Sequence, residues 1–367
     1  MENTTSHADW FSCPGDSLVA AMQRRGVAAS DLAGRLSGGM AQLRGLVSGL
    51  EPIDPESAAV IGLTVGGSIE FWLKRQENYE LALERAVASV PPEEATVWLS
   101  AIPAPGPAAR GKLNDDRRNE ELRRRLAFFA VGTLGAWQGR YGAENRQARF
   151  RTSLTFSSHE GPTSLWLREA ELEATIADTA VWNPEALEAR LREIKKLSFI
   201  RRPGRFLPLL KKLLAEAGVA LVIKRTPQGC RASGASRMIT PERAMILLSF
   251  RYRSDEQFWF TLFHEIGHLL LHGARAFVDE DEMPDDACED EANAFAASLV
   301  VPPHMERDFE SLPARHKDIT RFAILADVAP GLVRGQMEHR GRIPPFRLTF
   351  LRRNWTWAEI DEAIASL

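Results

Sequence analysis

The run His264-Glu265-Ile266-Gly267-His268 brings two imidazoles and a carboxylate within five residues. On a helix, residues four apart leave the same face with β-carbons about 6 Å apart. That spacing lets both histidines reach one Zn²⁺ at about 2.0–2.1 Å each. Glu265 lies beside the first histidine, where it can take a proton from water activated by such an ion and pass it to a leaving amine. This is the chemistry of peptide-bond hydrolysis. The flanks Phe258-Trp259-Phe260-Thr261-Leu262-Phe263 and 269–271 are too apolar for an exposed helix. Burying His264, Glu265 and His268 among them without partners would be costly.

His272 follows one further turn on. His264 and His272 are separated by about 12 Å of helix rise, so both cannot hold one ion. No acid follows His268, so Glu265 selects the 264/268 pair, and His272 is expected to support the site or the core. A third donor must come from elsewhere. The best supply is Cys288-Glu289-Asp290-Glu291-Ala292-Asn293-Ala294-Phe295-Ala296-Ala297. Glu289 shares a helical face with Asn293, and the small Ala292 and Ala296 beside them allow close packing against the histidine helix. Glu289 is then aimed at the metal, and Asn293 can orient a histidine. Glu291, which faces Cys288, Phe295 and Ser298, is the alternative third ligand and ranks behind Glu289.

These residues need elements to hold them. A helix over about 255–272 carries the histidines, and another over 287–300 follows an acidic loop at 279–286. Upstream, a helix from Leu207 to Ala217 ends at Gly218. The apolar runs 219–223 and 244–250 read as strands, with another around 230–239. Residues 126–200 read as mainly helical, with Trp137, Trp166 and Trp182 as core anchors. The mixed-charge block 115–125 reads as a solvated helix face with i,i+4 pairs. Residues 15–88 read as short helices, with Leu18, Met22, Val27, Leu32, Ala33, Leu36, Leu43, Leu46 and Val47 at helical spacing. Ser30-Asp31 supplies a start signal and Gly49 a stop.

At 367 residues the chain has room for two or three domains. The prolines at 91–92 and the segment 102–107 mark a boundary. A net charge of −3 excludes a globally basic nucleic-acid binder. No apolar run is long enough to cross a bilayer, so no membrane partner is expected. Residues 1–10 lack the order of a signal peptide, and Cys13, Cys230 and Cys288 are few and far apart, so a cytoplasmic protein is expected.

The stretch Phe260-Thr-Leu-Phe-His-Glu-Ile-Gly-His-Leu-Leu-Leu-His272, followed by 289–297 and Val300-Val-Pro302, closely resembles the ImmA/IrrE family of zinc metallopeptidases. The likeness covers about 190–345. It implies a small α+β zincin-like peptidase with two histidines and a glutamate on zinc, the glutamate carrying to Glu289. It also implies a bacterial or phage regulator that cleaves a partner repressor.

Residues 31–49 look like the helix-turn-helix of the Xre/HigA-type repressors, and 53–79 resemble the HigA antitoxin variant. On that likeness helix 40–47 enters the major groove of double-stranded DNA, exposing Met40, Ala41, Gln42 and Arg44. Gln42 suits an adenine edge and Arg44 a guanine edge or phosphate. Against it, residues 1–90 carry 11 acids and 7 bases, a net −4. Gly38 and Gly39 also stand where an apolar residue and a hydroxyl cap are usual, so this helix is expected to fray.

The expected architecture is therefore α+β and mainly helical. It comprises an all-α helix-turn-helix domain over 1–90, a helical middle segment over 91–190, and a zincin-like peptidase domain with a small β-sheet over 191–367. The expected activity is a zinc metalloendopeptidase of the HExxH type, acting on a regulatory protein partner, with Glu265 catalytic. The arrangement is compatible with a homodimer. The alternative is a DNA-binding antitoxin or repressor whose zinc site is structural or sensory.

Overall fold

The computed structural model describes residues 12–106, 114–141, 149–152, 160–273 and 285–367. The 1–10 segment and nearly all of the acidic loop at 279–286 lie outside the described residues. The chain divides into two compact units. One is Met1–Arg146, His159–Asp178 and Pro227–Cys230; the other is Gln147–Ser158, Thr179–Thr226 and Arg231–Leu367. Helices dominate and a small sheet accompanies them, as an α+β, mainly helical class requires. Among the described residues, no helix is long and apolar enough to cross a membrane.

The first unit opens with α1 (Pro14–Arg25), α2 (Ala29–Ala33), α3 (Gly39–Ser48), α4 (Pro55–Val65) and α5 (Ile69–Ser89). Leu18, Met22, Leu32, Leu36, Leu43, Leu46 and Val47 form one buried cluster with Ile61 and Trp72, and Val27 packs at its edge. Asp54 and Ser57 cap α4 reciprocally, with Pro55 in its first turn. Gly49 closes α3 in the left-handed region, φ +71°. The start of α2 departs from expectation, because Ala28 is the cap and Ser30 lies inside the first turn. The Ser30 hydroxyl instead donates to Asp178 Oδ2 at 3.3 Å.

Four more helices follow: α6 (Pro92–Ala101), α7 (Asp115–Phe129), α8 (Leu134–Tyr141) and α9 (Glu160–Thr175). They belong with the N-terminal helices rather than to a separate middle segment. The reason is apolar: Leu172 of α9 and Ile176 just beyond it pack into the N-terminal cluster. The mixed-charge block on α7 is likewise not wholly solvated. Arg125 and Glu121 are buried and paired, and Arg125 Nε also donates to the Ile102 carbonyl at 3.0 Å. Trp137 and Trp166 are core residues as expected.

In the second unit a four-stranded sheet runs in the order β1-β3-β4-β2, where β1 is Arg149–Thr152, β2 Val219–Ile223, β3 Ala232–Thr240 and β4 Arg243–Leu248. The β2–β4 pair is parallel and the other pairs antiparallel. Around it lie α10 (Pro184–Leu197), α11 (Pro203–Ala215), α12 (Asp255–His272), α13 (Asp285–Val300), α14 (Glu306–Glu310), α15 (His316–Leu325), α16 (Pro330–His339) and α17 (Trp357–Ala365). Trp182 is only partly buried at the edge of this core.

Helix α12 packs on β3, β4, α13 and α16, and its apolar flanks supply the centre of the core. Phe258 stacks on Phe250 with ring centroids 4.4 Å apart, and Trp259 and Phe206 lie against it. A buried polar network pins the beginning of α12. Asp255 Oδ1 accepts from the backbone N–H groups of Glu256 and Arg353 at 2.8 and 2.9 Å. Glu256 pairs at 3.2 Å with Arg334, which is wholly buried. Burial pushes both carboxyls above their usual range, and the neighbouring arginines work against that rise. Fixing the first turn in this way fixes the azimuth of every later turn, including the one that carries the histidines.

Candidate metal centre

Three turns into α12, His264, Glu265 and His268 are 1%, 0% and 3% exposed. The two imidazole Nε2 atoms stand 3.0 Å apart. Glu289 reaches across from α13, with Oε2 3.2 Å from His264 Nε2 and Oε1 3.3 Å from His268 Nε2. Burial works to raise the Glu289 carboxyl, but the two imidazoles beside it, His264 and His268, outweigh it and hold the group down at about 2.

The triangle suits one small cation. Four-coordinate zinc with ligand bonds of about 2.0–2.1 Å keeps its ligand atoms about 3.3–3.4 Å apart, close to the separations seen here. One nitrogen from each histidine and a carboxylate oxygen also form a donor set that zinc accepts readily. Among the described residues, the group of metal-capable side chains consists of His264, His268 and Glu289. The Glu289 side chain is 34% exposed, so the cluster opens to solvent on the α13 side.

Asn293 fixes the orientation of the first imidazole. His264 Nδ1–H donates to Asn293 Oδ1 at 3.0 Å, which leaves the Nε2 lone pair turned toward the cluster. Asn293→Ala is expected to weaken metal affinity by about 10–100-fold. Competition against a chromophoric chelator measures this directly, and unchanged affinity would remove Asn293 from the site.

The two helices come this close because their contact surfaces are nearly bare. A β-carbon on Gly267 would lie 3.0 Å from Phe295 Cδ1 and 3.3 Å from Ala292 Cα. Ala292 and Ala296 are fully buried opposite it.

The other sequence candidates lie apart from the triangle. Glu291 is 56% exposed on its side chain and sits 3.7 Å from His272 Nε2. His272 Nε2–H donates to the Cys288 carbonyl at 3.2 Å, which ties the end of α12 to the beginning of α13.

Residues 220–326 match the model of the IrrE N-terminal-like domain, a peptidase family. The matched stretch runs from β2 through α15 and so contains His264, Glu265, His268, Glu289 and Asn293. The match likens this stretch to a domain of the metallopeptidase type, and the helices of the first unit lie outside it. No curated protein and no solved structure matches the chain.

The residues read from sequence for DNA lie on α3, in the first unit. Gln42 is turned to its own helix, where its Oε1 accepts from the Gly38 N–H at 3.0 Å. Gly38 stands at the cap position without a side-chain cap bond, and α3 runs from Gly39. Arg44 is exposed, with Nε 3.1 Å from the Glu173 carboxylate on α9. Glu173 and Asp178 were not legible as partners of this region. They lie about 130–150 positions downstream, and no local pattern links them to it.

Proposed function

We propose that the chain is a zinc-dependent endopeptidase that cuts a dedicated protein partner and thereby regulates it. The His264–His268–Glu289 triangle, open on the Glu289 side and with Glu265 next in sequence to a donor, carries this reading. Zinc, when bound, would acidify water and polarise the scissile carbonyl. Glu265 takes the proton of the attacking water and delivers it to the leaving nitrogen. Asn293 holds one imidazole in the tautomer that leaves Nε2 available. A closed structural site would draw on four protein donors, whereas the described residues bring three. That contrast favours the peptidase over a repressor with a merely structural ion.

The test is to purify the chain as Glu265→Gln, measure its zinc, and use it to capture the partner from the native host. The captured protein should then be cut by the wild type and left whole by the variant. A partner that the wild type never cuts would end the peptidase reading.

We further propose that the first unit addresses the enzyme to duplex DNA through α3, with Arg44 as its principal contact. The Arg44–Glu173 pair makes this easy to probe. Freeing the guanidinium with Glu173→Gln should tighten binding to a promoter duplex about tenfold, and Arg44→Ala should weaken it by a similar factor. If gel mobility shifts are equal for both variants and the wild type, α3 has no part in DNA binding.

A further inference from the structure

Gly234 lies on β3, the strand on which α12 packs. Its backbone needs no glycine, because its φ is not among the positive ones. A glycine inside a strand weakens the strand, and one usual reason for it is that something must come close. Here that something is the carboxylate of Glu265. A β-carbon on Gly234 would stand 2.7 Å from Glu265 Oε1, 3.0 Å from Glu265 Cγ and 2.6 Å from Thr261 Cγ2. These distances fall inside van der Waals contact, so a side chain at 234 and the present position of Glu265 exclude each other. Both neighbours are buried, Thr261 being 3% and Glu265 0% exposed. Side chains alternate along a strand, so Ala232 and Ser236 share the face of Gly234, and both are small.

We infer that Gly234 is a positioning residue for Glu265: the missing side chain is the space in which the carboxylate of the residue next to His264 is held. The inference rests on the reading of Glu265 as proton acceptor. It adds that a residue some thirty positions upstream, on a different element, sets where that acceptor stands. A group displaced by about 1 Å can lose on the order of a hundredfold in rate, so one methyl group at 234 should act nearly as strongly as a change at 265 itself.

The test uses the zinc-loaded full chain and acetohydroxamate, which chelates the ion through its two oxygens and shares its proton with an adjacent base. Calorimetry should show Glu265→Gln and Gly234→Ala each binding about tenfold more weakly than wild type, as for one lost charge-assisted hydrogen bond. Gly234→Ala should keep a full complement of zinc. The double variant should be no weaker than Glu265→Gln alone, because the two changes remove one interaction. The same measurement with Gly234→Ala in a Thr261→Ser background relieves the contact with Thr261 and covers a simple folding defect. The weakening should persist there.

Affinity equal to wild type in Gly234→Ala, additive losses in the double variant, or full recovery in the Thr261→Ser background would each overturn the inference. If Glu265→Gln itself leaves acetohydroxamate binding unchanged, the assignment of Glu265 falls, and the inference falls with it.

Discussion

Glu265→Gln should retain its zinc and lose between two and four orders of magnitude of cleavage rate, the usual contribution of a positioned general base. The substitution keeps shape and volume, so the tight contact with Gly234 is preserved. Neither imidazole Nε2 nor the Glu289 carboxylate is touched. What changes is the ability to accept a proton, which an amide lacks. Folding should not suffer, because a neutral amide at a fully buried position is less costly to desolvate than a carboxylate. The melting temperature should therefore equal or exceed that of the wild type. Zinc content by atomic emission, thermal melting and a time course against the captured partner together decide the point. A variant with full zinc and undiminished cleavage would show that the proton acceptor lies elsewhere.

The histidine pair and the acid beside it were legible because all three lie on one helix, where spacing alone sets direction. Glu289 was legible to a lesser degree. Its helix and its small-residue face could be read, but the sequence left Glu291 open, since only the packed azimuth of α13 separates the two. Long-range side-chain placement was not legible at all. Gly234 touches Glu265 across 31 positions, and no periodicity reports such a contact. The bland reading of residues 115–125 missed the burial of Glu121 and Arg125, because a helical i,i+4 pair looks the same whether solvent or another helix covers it. Similarly, α9 carries an ordinary apolar stripe, and nothing in it announces that Leu172 and Ile176 complete the N-terminal cluster. Proline-rich spacing suggested a boundary near residue 100, whereas one compact unit holds α6–α9 together with the helices before them.

Glu289→Ala should abolish tight metal binding, while Glu291→Ala should leave it intact. Structural zinc sites bind with about 10–16 kcal/mol in total. Removing one of three protein ligands should therefore cost about 3–5 kcal/mol, a weakening on the order of a thousandfold. The loss should exceed that of Asn293→Ala, because Asn293 acts only through the orientation of His264. Glu291 points toward His272, and His272 spends its Nε2–H on the Cys288 carbonyl, so truncating Glu291 removes an exposed contact of small worth.

The contrast also tests the helix packing. Glu289 reaches the histidines only because Gly267, Ala292 and Ala296 let α12 and α13 lie nearly backbone to backbone. Gly267→Val should thus reproduce the metal loss of Glu289→Ala with both glutamates still present. Equilibrium competition with a chelator, run on the three variants, separates the cases. Loss in Glu291→Ala with retention in Glu289→Ala would reverse the ligand assignment, and with it the view that close approach of the two helices builds the site.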